Sequence, residues 1–253
     1  MVYLLLKLEN ELITRFGATP IMGAELECYV TLTIEEMDAF WALVIERLKA
    51  DGVPVLRVEK ERGEHQYEVV LGIATPTKLA DDLVTVRNYI EEQTKRLGTQ
   101  CSFEARPYDD QPSSGLHIHT HLQDEAGVNL YHKTDEDMSD ALRFSLGGLM
   151  ARLEKDMAIF CPKPESHRRY DDADHVPRKF CWGVNNRYCA LRIPMERDPY
   201  NKRIEHRMAG ADANPRAVIE AILRGIIQGL ENRTEPPEQE YGKPEKVYVK
   251  GEE

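Results

Sequence analysis

The segment SSGLHIHTH, residues 113–121, constrains the fold of this chain more than any other. Apolar and polar residues alternate through it, and successive side chains of an extended strand point to opposite faces. The side chains that share one face are His117, His119 and His121. The preceding Ser-Ser-Gly is small enough to let a ligand approach the backbone closely. A row of imidazoles on such a strand indicates either a metal or phosphate site or an ordinary solvated face.

Composition limits the classes of protein to which the chain can belong. With 253 residues and 42% hydrophobic content, it can bury the core of one large domain or two small ones. Lys and Arg total 33 against 44 Asp and Glu, and the net charge of −11 opposes binding to nucleic acid or to an anionic membrane. No apolar run approaches the ~20 residues of a spanning helix, and acidic residues come too early for a secretory signal. We therefore expect a soluble, cytoplasmic protein whose partners are small molecules.

The cysteines carry little chemical information. They number five, lack the paired spacing of a zinc site, and are interpreted as reduced thiols that pack in the interior. They are Cys28, Cys101, Cys161, Cys181 and Cys189.

Hydrophobic periodicity predicts strands separated by helices. Strands are expected over residues 21–31, 55–59, 66–73, 101–106, 116–121, 188–193 and 203–208. Helices are expected over 34–50 behind a capping box at Thr33, over 77–97, over 135–160, and over 215–232 behind the N-cap Asn214. Residues 161–186 lack periodicity and exceed an ordinary connection, which is typical of a lid or binding loop.

Several of the predicted strands carry their polar residues on one face. These residues are Glu25 and Glu27, then Glu68, the three histidines, and finally Arg203, Glu205 and Arg207. No Gly-rich phosphate loop follows a strand, which argues against a parallel doubly wound sheet. We predict an α+β domain with a curved, mostly antiparallel sheet, whose concave polar face holds ligands and whose helices lie on the outer face.

Each polar strand, taken alone, has an ordinary explanation. A Glu-x-Glu strand is usually a solvated face, and Arg-Ile-Glu-His-Arg is usually a ladder of salt bridges. Several such strands in one domain, with Arg187 and Arg192 also available, favour a polyanion held through divalent cations. Mg²⁺ and Mn²⁺ prefer carboxylate oxygens with an occasional imidazole, whereas a structural zinc site requires thiolates or more histidines. The pattern therefore predicts metal-assisted phosphate chemistry.

Five segments of the chain form an ordered set of motifs. They are GAELECY at 23–29, HQYEV at 65–69, SGLHIH at 114–119, NRYCALRIP at 186–194 and RIEHRMAGADANP at 203–215. In this order they resemble the catalytic domain of the glutamine synthetase family, which includes ligases that join glutamate to amines other than ammonia. The resemblance implies an ATP-dependent carboxylate–amine ligase that forms a γ-glutamyl amide. In that reaction the γ-phosphoryl group of ATP passes to a side-chain carboxylate, and an amine displaces phosphate from the acyl phosphate.

The same resemblance implies roles for individual residues. Two divalent cations, Mg²⁺ or Mn²⁺, would be held by Glu27 and Glu68 with a third carboxylate, and by Glu25, His117 and Glu205. The residues implied to contact ATP are His119, Arg187 and Arg203, and those implied to contact the amino-acid substrate are Gly115, Arg169 and Arg207. Catalytic roles are implied for Arg187 and Arg207, and His175 is the third candidate because it stands at the matching position of the family's flap.

Three local departures from the family pattern affect these roles. Lys60 stands at the register of the third metal carboxylate, flanked by Glu59 and Glu61, and we favour Glu59. Residues 112–113 read Pro-Ser where the family has Asn-Gly, which changes the loop that holds the amino-acid substrate. His175 stands where the family's flap carries a glutamate, so the resemblance does not assign the group that deprotonates the amine.

The domain organisation is also shorter than that of the family. Only about 20 residues precede the Glu-x-Glu strand, so we expect the family's N-terminal β-grasp domain to be absent. We divide the chain into an N-terminal extension (1–20), the catalytic domain (21–232) and a polar, flexible tail (233–253). A homo-oligomer is compatible with the resemblance, because family members form rings. Two alternatives to a ligase stay open: a non-catalytic regulatory paralogue that binds nucleotide or amino acid, and a metal-dependent hydrolase that uses the three histidines.

Overall fold

An eight-stranded mixed sheet organises the protein. The computed structural model describes residues 2–133, 138–172, 174–195 and 198–245. The strands are β1 (Thr19–Val30), β2 (Val55–Lys60), β3 (Gln66–Ala74), β4 (Cys101–Ser102), β5 (Leu116–Gln123), β6 (Lys179–Val184), β7 (Cys189–Ile193) and β8 (Ile204–His206). Their order is β2-β3-β1-β5-β8-β7-β6, with β4 beside β1. Every pair except β6–β7 is antiparallel, which confirms the predicted α+β class and its mostly antiparallel sheet.

The helices cover the apolar face of this sheet. They are α1 (Val2–Phe16), α2 (Ile34–Ala50), α3 (Pro76–Arg96), α4 (Asp140–Met150), α5 (Met157–Phe160) and α6 (Pro215–Asn232), with 3₁₀ turns at Pro164–Asp171 and Pro199–Asn201. Leu26 and Leu116 of the central strands are fully buried in the same core as Leu83 of α3 and Ile222 of α6. Because side chains alternate along a strand, the intervening polar residues lie on the opposite face. None of the described helices is long and apolar enough to cross a membrane.

Local capping signals predicted two of the helix starts correctly. The Thr33 N–H donates to Glu36 Oε2 at 3.1 Å, which closes the predicted capping box at the start of α2. The Asn214 side chain accepts from the N–H of Arg216 at 3.0 Å at the start of α6. Both caps satisfy backbone N–H groups that would otherwise have no intrahelical partner.

Three predicted elements differ from the structure. The helix predicted over 135–160 has its first residues, 135–137, outside the described part, and the described portion breaks into α4 and α5. The strand predicted over 101–106 is only Cys101–Ser102. The region 161–186 was predicted as a loop, but it contains the strand β6 and the 3₁₀ turn Pro164–Asp171. As an edge strand with one sheet partner, β6 lacks the sustained alternation by which the other strands were recognised.

The N-terminal residues form a helix that the sequence analysis did not predict. Leu5, Leu8 and Leu12 of α1 are buried in the core, and α1 packs against α6 and α3. Leucines spaced three and four residues apart lie on one face of a helix, and this spacing is the sequence pattern from which α1 could have been predicted. Arg15 at the end of α1 contacts Glu231 of α6 at 2.5 Å.

The described part of the predicted tail lies against β6. The Glu240 N–H donates to the Trp182 carbonyl at 2.9 Å, and the Trp182 indole N–H donates to the Pro237 carbonyl at 2.7 Å. The Asn186 side chain donates to the Gly242 carbonyl at 2.7 Å. Residues 233–245 thus contact the domain, and residues 246–253 lie outside the described part.

Helices α4 and α6 approach closely because glycines line their contact. A Cβ at Gly229 would lie 2.0 Å from the Phe144 carbonyl oxygen and 2.9 Å from the Gly148 Cα. We expect Gly229→Ala to lower the free energy of unfolding by at least about 1–3 kcal/mol, since backbone atoms have to move apart. Urea denaturation would measure this loss. Arg224→Ala, at a half-exposed position on the same helix, is the control, and equal stability of the two variants would contradict the prediction.

Candidate functional site

Cross-strand register brings acidic and histidine side chains together on the polar face. The directly opposed pairs are Glu25 with His117, Glu27 with Glu68, and His119 with Glu205. Residues opposite one another on neighbouring strands have their Cβ atoms only about 4.5–5.5 Å apart. Pairing of β3, β1, β5 and β8 therefore assembles one continuous polar floor from segments distant in sequence.

This floor contains two groups with the geometry of metal ligands. One comprises Glu25, His117 and Glu205, and the other comprises Glu27, Glu68 and His117. Within each group the ligand atoms lie within 4.8 Å of one another. The division of the carboxylates into two sets is the one implied by the family resemblance. Three oxygen or nitrogen ligands in each set suit Mg²⁺ or Mn²⁺ completed by water or phosphate oxygens.

Glu27 and Glu68 form the electrostatically unbalanced half of the floor. Burial raises the pKa of Glu27 to about 7, against a hydrogen bond from the Gly115 N–H at 2.7 Å. Burial, followed by the charges of Glu25, Glu27 and Glu61, raises the pKa of Glu68 to about 9. Ionised carboxylates that repel one another in a buried position require either protons or cations. This half of the site therefore fits a divalent cation.

Glu205 and Glu25 are balanced by positive or hydrogen-bonding neighbours. Although burial acts to raise the pKa of Glu205, the Arg207 guanidinium and the histidines hold it at about 2. Burial likewise opposes ionisation of Glu25, but hydrogen bonds from His117 and His119 lower the pKa of that carboxyl. The other carboxylate oxygen of Glu205 accepts from Arg192 at 2.7 Å. This half of the site remains charged without a metal ion.

The raised pKa values predict how the metal-free protein responds to pH. Glu27 and Glu68 bind protons in the folded state well above the pKa of about 4.3 expected of an unfolded glutamate. Their stabilising contribution is complete below that value and is lost as pH rises through about 7 and about 9, at up to about 1.4 kcal/mol per pH unit for each carboxyl.

We therefore expect the stability of the protein in EDTA to fall between pH 6 and pH 9, and Mn²⁺ to restore it. Urea unfolding at several pH values measures the slope. Glu68→Gln should flatten the alkaline part of the profile, because glutamine does not titrate. A profile in EDTA that is flat over this range would contradict the assignment of these pKa values.

Two residues, Glu59 and Glu61, are placed to serve as the third carboxylate beside Glu27 and Glu68. Glu59 pairs with Glu68 across β2 and β3, but its half-exposed side chain forms an ion pair with Arg57 at 2.9 Å. Glu61 is less exposed, and its charge raises the pKa of both Glu27 and Glu68. Both residues line the cavity, so the third carboxylate is either Glu59 or Glu61.

Two of the three residues implied to contact the amino-acid substrate, Gly115 and Arg169, lie against each other. A Cβ at Gly115 would lie 2.6 Å from Arg169 Nη2 and 2.9 Å from His117 Nε2, so only glycine leaves room for this guanidinium. Arg169 is buried and donates to the backbone carbonyls of Arg207 and Met208 at 3.1 and 3.2 Å. Its position is thereby held at the Glu27 end of the cavity.

The histidines of β5 have separate partners. His119 accepts from Arg203 Nε at 3.1 Å, and its other ring nitrogen lies 3.1 Å from Glu25 Oε1. His121 Nε2 lies 2.9 Å from the Gln123 side-chain amide. His117 alone belongs to the metal-ligand groups found in the described residues. The three imidazoles therefore do not converge on one ion, which removes the support for a three-histidine hydrolase.

The mouth of the site is formed by the segment around His175, which we call the flap, and by the loop between β6 and β7. His175 adopts a left-handed backbone conformation with φ of 64°, and its carbonyl accepts from Arg207 Nη2 at 2.8 Å. Partial burial and the charges of Arg62 and Arg187 lower the pKa of His175. A neutral imidazole at pH 7 is able to accept a proton. Arg187 is exposed and lines the cavity beside it.

The enclosed space above the floor has a volume of about 180 Å³. Its lining includes residues that the sequence analysis did not select, namely Arg57, Arg62 and Gln66. Gln66 is buried and donates to the Ser113 carbonyl at 2.9 Å, which holds the loop before β5. A larger cavity of about 750 Å³ lies between α4 and the β6–β7 edge, but its described lining holds none of the predicted site residues. The chemistry, not the size, of a cavity identifies the site.

Comparison with known proteins agrees with this arrangement. Residues 6–250 match the family described as glutamine synthetase, catalytic domain. The chain belongs to this family. It is 38% identical over 152 residues to γ-glutamylputrescine synthetase of Escherichia coli (strain K12), covering 60% of this chain and 32% of that protein. It is 28% identical over 222 residues to glutamate–isopropylamine ligase of Pseudomonas sp, covering 87% of this chain and 48% of that protein.

Solved structures show the same fold. Apo GmaS without ligand aligns with a TM-score of 0.83 at 21% identity, over 94% of this chain and 60% of that chain. A glutamine synthase homologue aligns with a TM-score of 0.85 at 23% identity, over 93% of this chain and 60% of that chain. The chain thus spans about one third to one half of the two relatives named above and 60% of these two structures.

Proposed function

We propose that this glutamine synthetase domain is an ATP-dependent ligase that joins the side-chain carboxylate of glutamate, or of an analogue, to an amine through an acyl phosphate. The observation that supports the proposal most directly is the excess of buried carboxylate at Glu27 and Glu68, in a cavity that several arginines also line. Carboxylates that require cations and arginines that require anions together suit a magnesium or manganese nucleotide.

In this proposal the two sets of metal ligands on the floor would hold two divalent cations. Glu27 and Glu68, with Glu61 or Glu59, hold one, and Glu25, His117 and Glu205 hold the other. The cations, when bound, neutralise charge on the phosphates of ATP and on the transferring phosphoryl group.

The protein's own side chains orient the reactants. His119, Arg187 and Arg203 face the phosphates, and Arg207 faces the carboxylate that receives the phosphoryl group. Arg169, fixed by two backbone carbonyls, provides a charge for the α-carboxylate of the amino acid. His175, neutral because its pKa is lowered, accepts the proton that the attacking amine loses.

The amine is proposed to be larger than ammonia. Beside glutamine synthetases, the relatives that match this chain include a γ-glutamylputrescine synthetase, a glutamate–isopropylamine ligase and a γ-glutamylethanolamide synthetase. A histidine on the flap and Pro112-Ser113 before β5 both depart from the pattern of enzymes that use ammonia and glutamate. These departures lie where the amine and the amino acid would bind.

The test is phosphate release from ATP with glutamate and Mg²⁺ or Mn²⁺, using ammonia, methylamine, isopropylamine, ethanolamine and putrescine in turn. Mass spectrometry of the product identifies any γ-glutamyl amide. We expect release that depends on one or more of the larger amines and that is lost in Glu68→Gln but kept in Glu64→Gln, an exposed residue of the same hairpin. ATP binding without amine-dependent release would instead support the regulatory paralogue.

A further inference from the structure

An ammonium group already occupies a small pocket beside the flap. Lys243 Nζ donates to Asp174 Oδ1 at 2.7 Å and lies 4.9 Å from the centre of the Tyr188 ring. The Tyr188 hydroxyl donates to the same carboxylate oxygen at 3.0 Å, which fixes the ring next to the charge. A carboxylate and an aromatic face are the two groups that recognise primary ammonium ions. We call Asp174 and Tyr188 the ammonium pocket.

The ammonium pocket adjoins the catalytic site. A cavity of about 380 Å³, lined partly by Tyr188 and Lys243, shares His175 and Arg187 with the cavity above the metal-ligand floor. A residue of the catalytic site also holds the backbone of the pocket, because Arg62 donates to the Asp174 carbonyl at 3.3 Å. The two cavities therefore adjoin at His175 and Arg187, and Lys243 lines the outer one.

The native occupant of the pocket is easily displaced. The side chains of Asp174 and Lys243 are 49% and 45% exposed. An ion pair of this exposure adds little to stability, because solvent screens its charges. A second ammonium ion of similar geometry can therefore compete with Lys243 for the carboxylate and the ring.

We propose that the ammonium pocket binds the distal ammonium of a diamine substrate, with Lys243 as its occupant when no diamine is bound. The inference rests on the proposed ligase function and specifies its substrate class. One amine of the diamine reacts at the His175 side, while the other, still protonated, replaces Lys243 Nζ on Asp174 and Tyr188. The recognition of the second charge makes a diamine a better substrate than a monoamine of equal length.

The test compares putrescine with n-butylamine, which has the same carbon chain and one ammonium. For the unsubstituted protein we expect a lower KM for putrescine. Asp174→Asn should raise KM for putrescine about five- to tenfold, because one charge-assisted hydrogen bond weakens, and leave KM for n-butylamine unchanged. Lys243→Ala should lower KM for putrescine, whereas Lys179→Ala, whose side chain binds Glu240 instead, should not.

A binding measurement distinguishes a failure of the ammonium pocket from a failure of the proposed ligase function. If no amine supports phosphate release, the proposed function fails, and calorimetry of putrescine against n-butylamine with ADP and Mn²⁺ still tests the pocket. Tighter binding of putrescine that is lost in Asp174→Asn supports the pocket. Equal binding of the two amines, or an equal effect of Asp174→Asn on both, overturns it.

A separate observation concerns two of the cysteines. Cys181 Sγ of β6 and Cys189 Sγ of β7 lie 2.8 Å apart, and both thiols are buried. The two strands are paired, and a disulfide requires the sulfurs to approach by less than about 1 Å from this separation. The loop between them carries Arg187.

We infer that Cys181 and Cys189 form a reversible disulfide with each other when a low-molecular-weight disulfide oxidises them. The two thiols lose two electrons and two protons, one S–S bond forms between them, and the S–S bond of oxidised glutathione breaks to give two glutathione thiols. Incubation with oxidised glutathione, alkylation and peptide mapping should find this one linkage. Cys28, Cys101 and Cys161 are internal controls. The inference is overturned if peptide mapping finds both thiols of the pair alkylated, or finds glutathione attached to them.

Discussion

Glu205→Gln is expected to abolish Mn²⁺-dependent nucleotide binding and, in addition, to destabilise the domain. Glu205 belongs to one of the two ligand groups of the floor, so its loss removes a charged ligand from that group. Its side chain is 1% exposed and contacts Arg192 at 2.7 Å as well as Arg207. Removal of one partner from a buried ion pair costs about 3–5 kcal/mol, because the remaining charges stay buried without compensation.

Glu68→Gln is the matched comparison for this prediction. It also removes a ligand, but burial and neighbouring carboxylates keep most of Glu68 uncharged at pH 7 in the metal-free protein. We therefore expect Glu68→Gln to lose metal-dependent ATP binding while it keeps its resistance to urea in EDTA. Calorimetry with ATP and Mn²⁺ measures the first property and urea unfolding the second. ATP binding by Glu205→Gln equal to that of the unsubstituted protein would refute the two-metal assignment.

Arg187→Ala is expected to reduce the rate of phosphoryl transfer by about 10²–10³, with only a small change in nucleotide affinity. Arg187 is exposed and lines the cavity together with His175. In the proposed reaction it faces the charge that develops on the transferring phosphoryl group. An interaction made mainly in the transition state lowers kcat and kcat/KM together and leaves ground-state binding nearly intact.

Single-turnover phosphate release and ATP titration separate the two quantities for Arg187. Arg187→Lys should recover part of the rate, since it keeps the charge but loses the planar fork of the guanidinium. If Arg187→Ala weakens ATP binding as much as it slows transfer, the residue is a ground-state contact, and the role proposed for it is wrong.

Alternation along single strands was enough to predict the polar floor. Side chains alternate between the two faces of a strand. The apolar residues next to Glu25, Glu27 and His117 in sequence therefore showed which face was turned toward the core. Antiparallel pairing of β1 with β3 and β5 then placed these side chains directly opposite one another, as the structure shows. The family motifs added the grouping of the carboxylates, which alternation does not contain.

What the sequence did not predict depends on turns and edges. Glu61 lies beyond the end of β2, in the turn to β3, where strand periodicity carries no information. The ammonium pocket joins Asp174 of the flap to Lys243 of the C-terminal segment, and their contact spans 69 residues.

The segment that lies along β6 has a consequence for association between molecules. An edge strand with free N–H and C=O groups is a template on which another chain can add a strand. Here Glu240 hydrogen-bonds to the Trp182 carbonyl, and Pro237 accepts from the Trp182 indole, so this edge is already partly occupied. A protein cut before Thr234 would present the edge of β6 to its neighbours. Its solubility and tendency to form fibrils, rather than its turnover, would then reveal what this segment contributes.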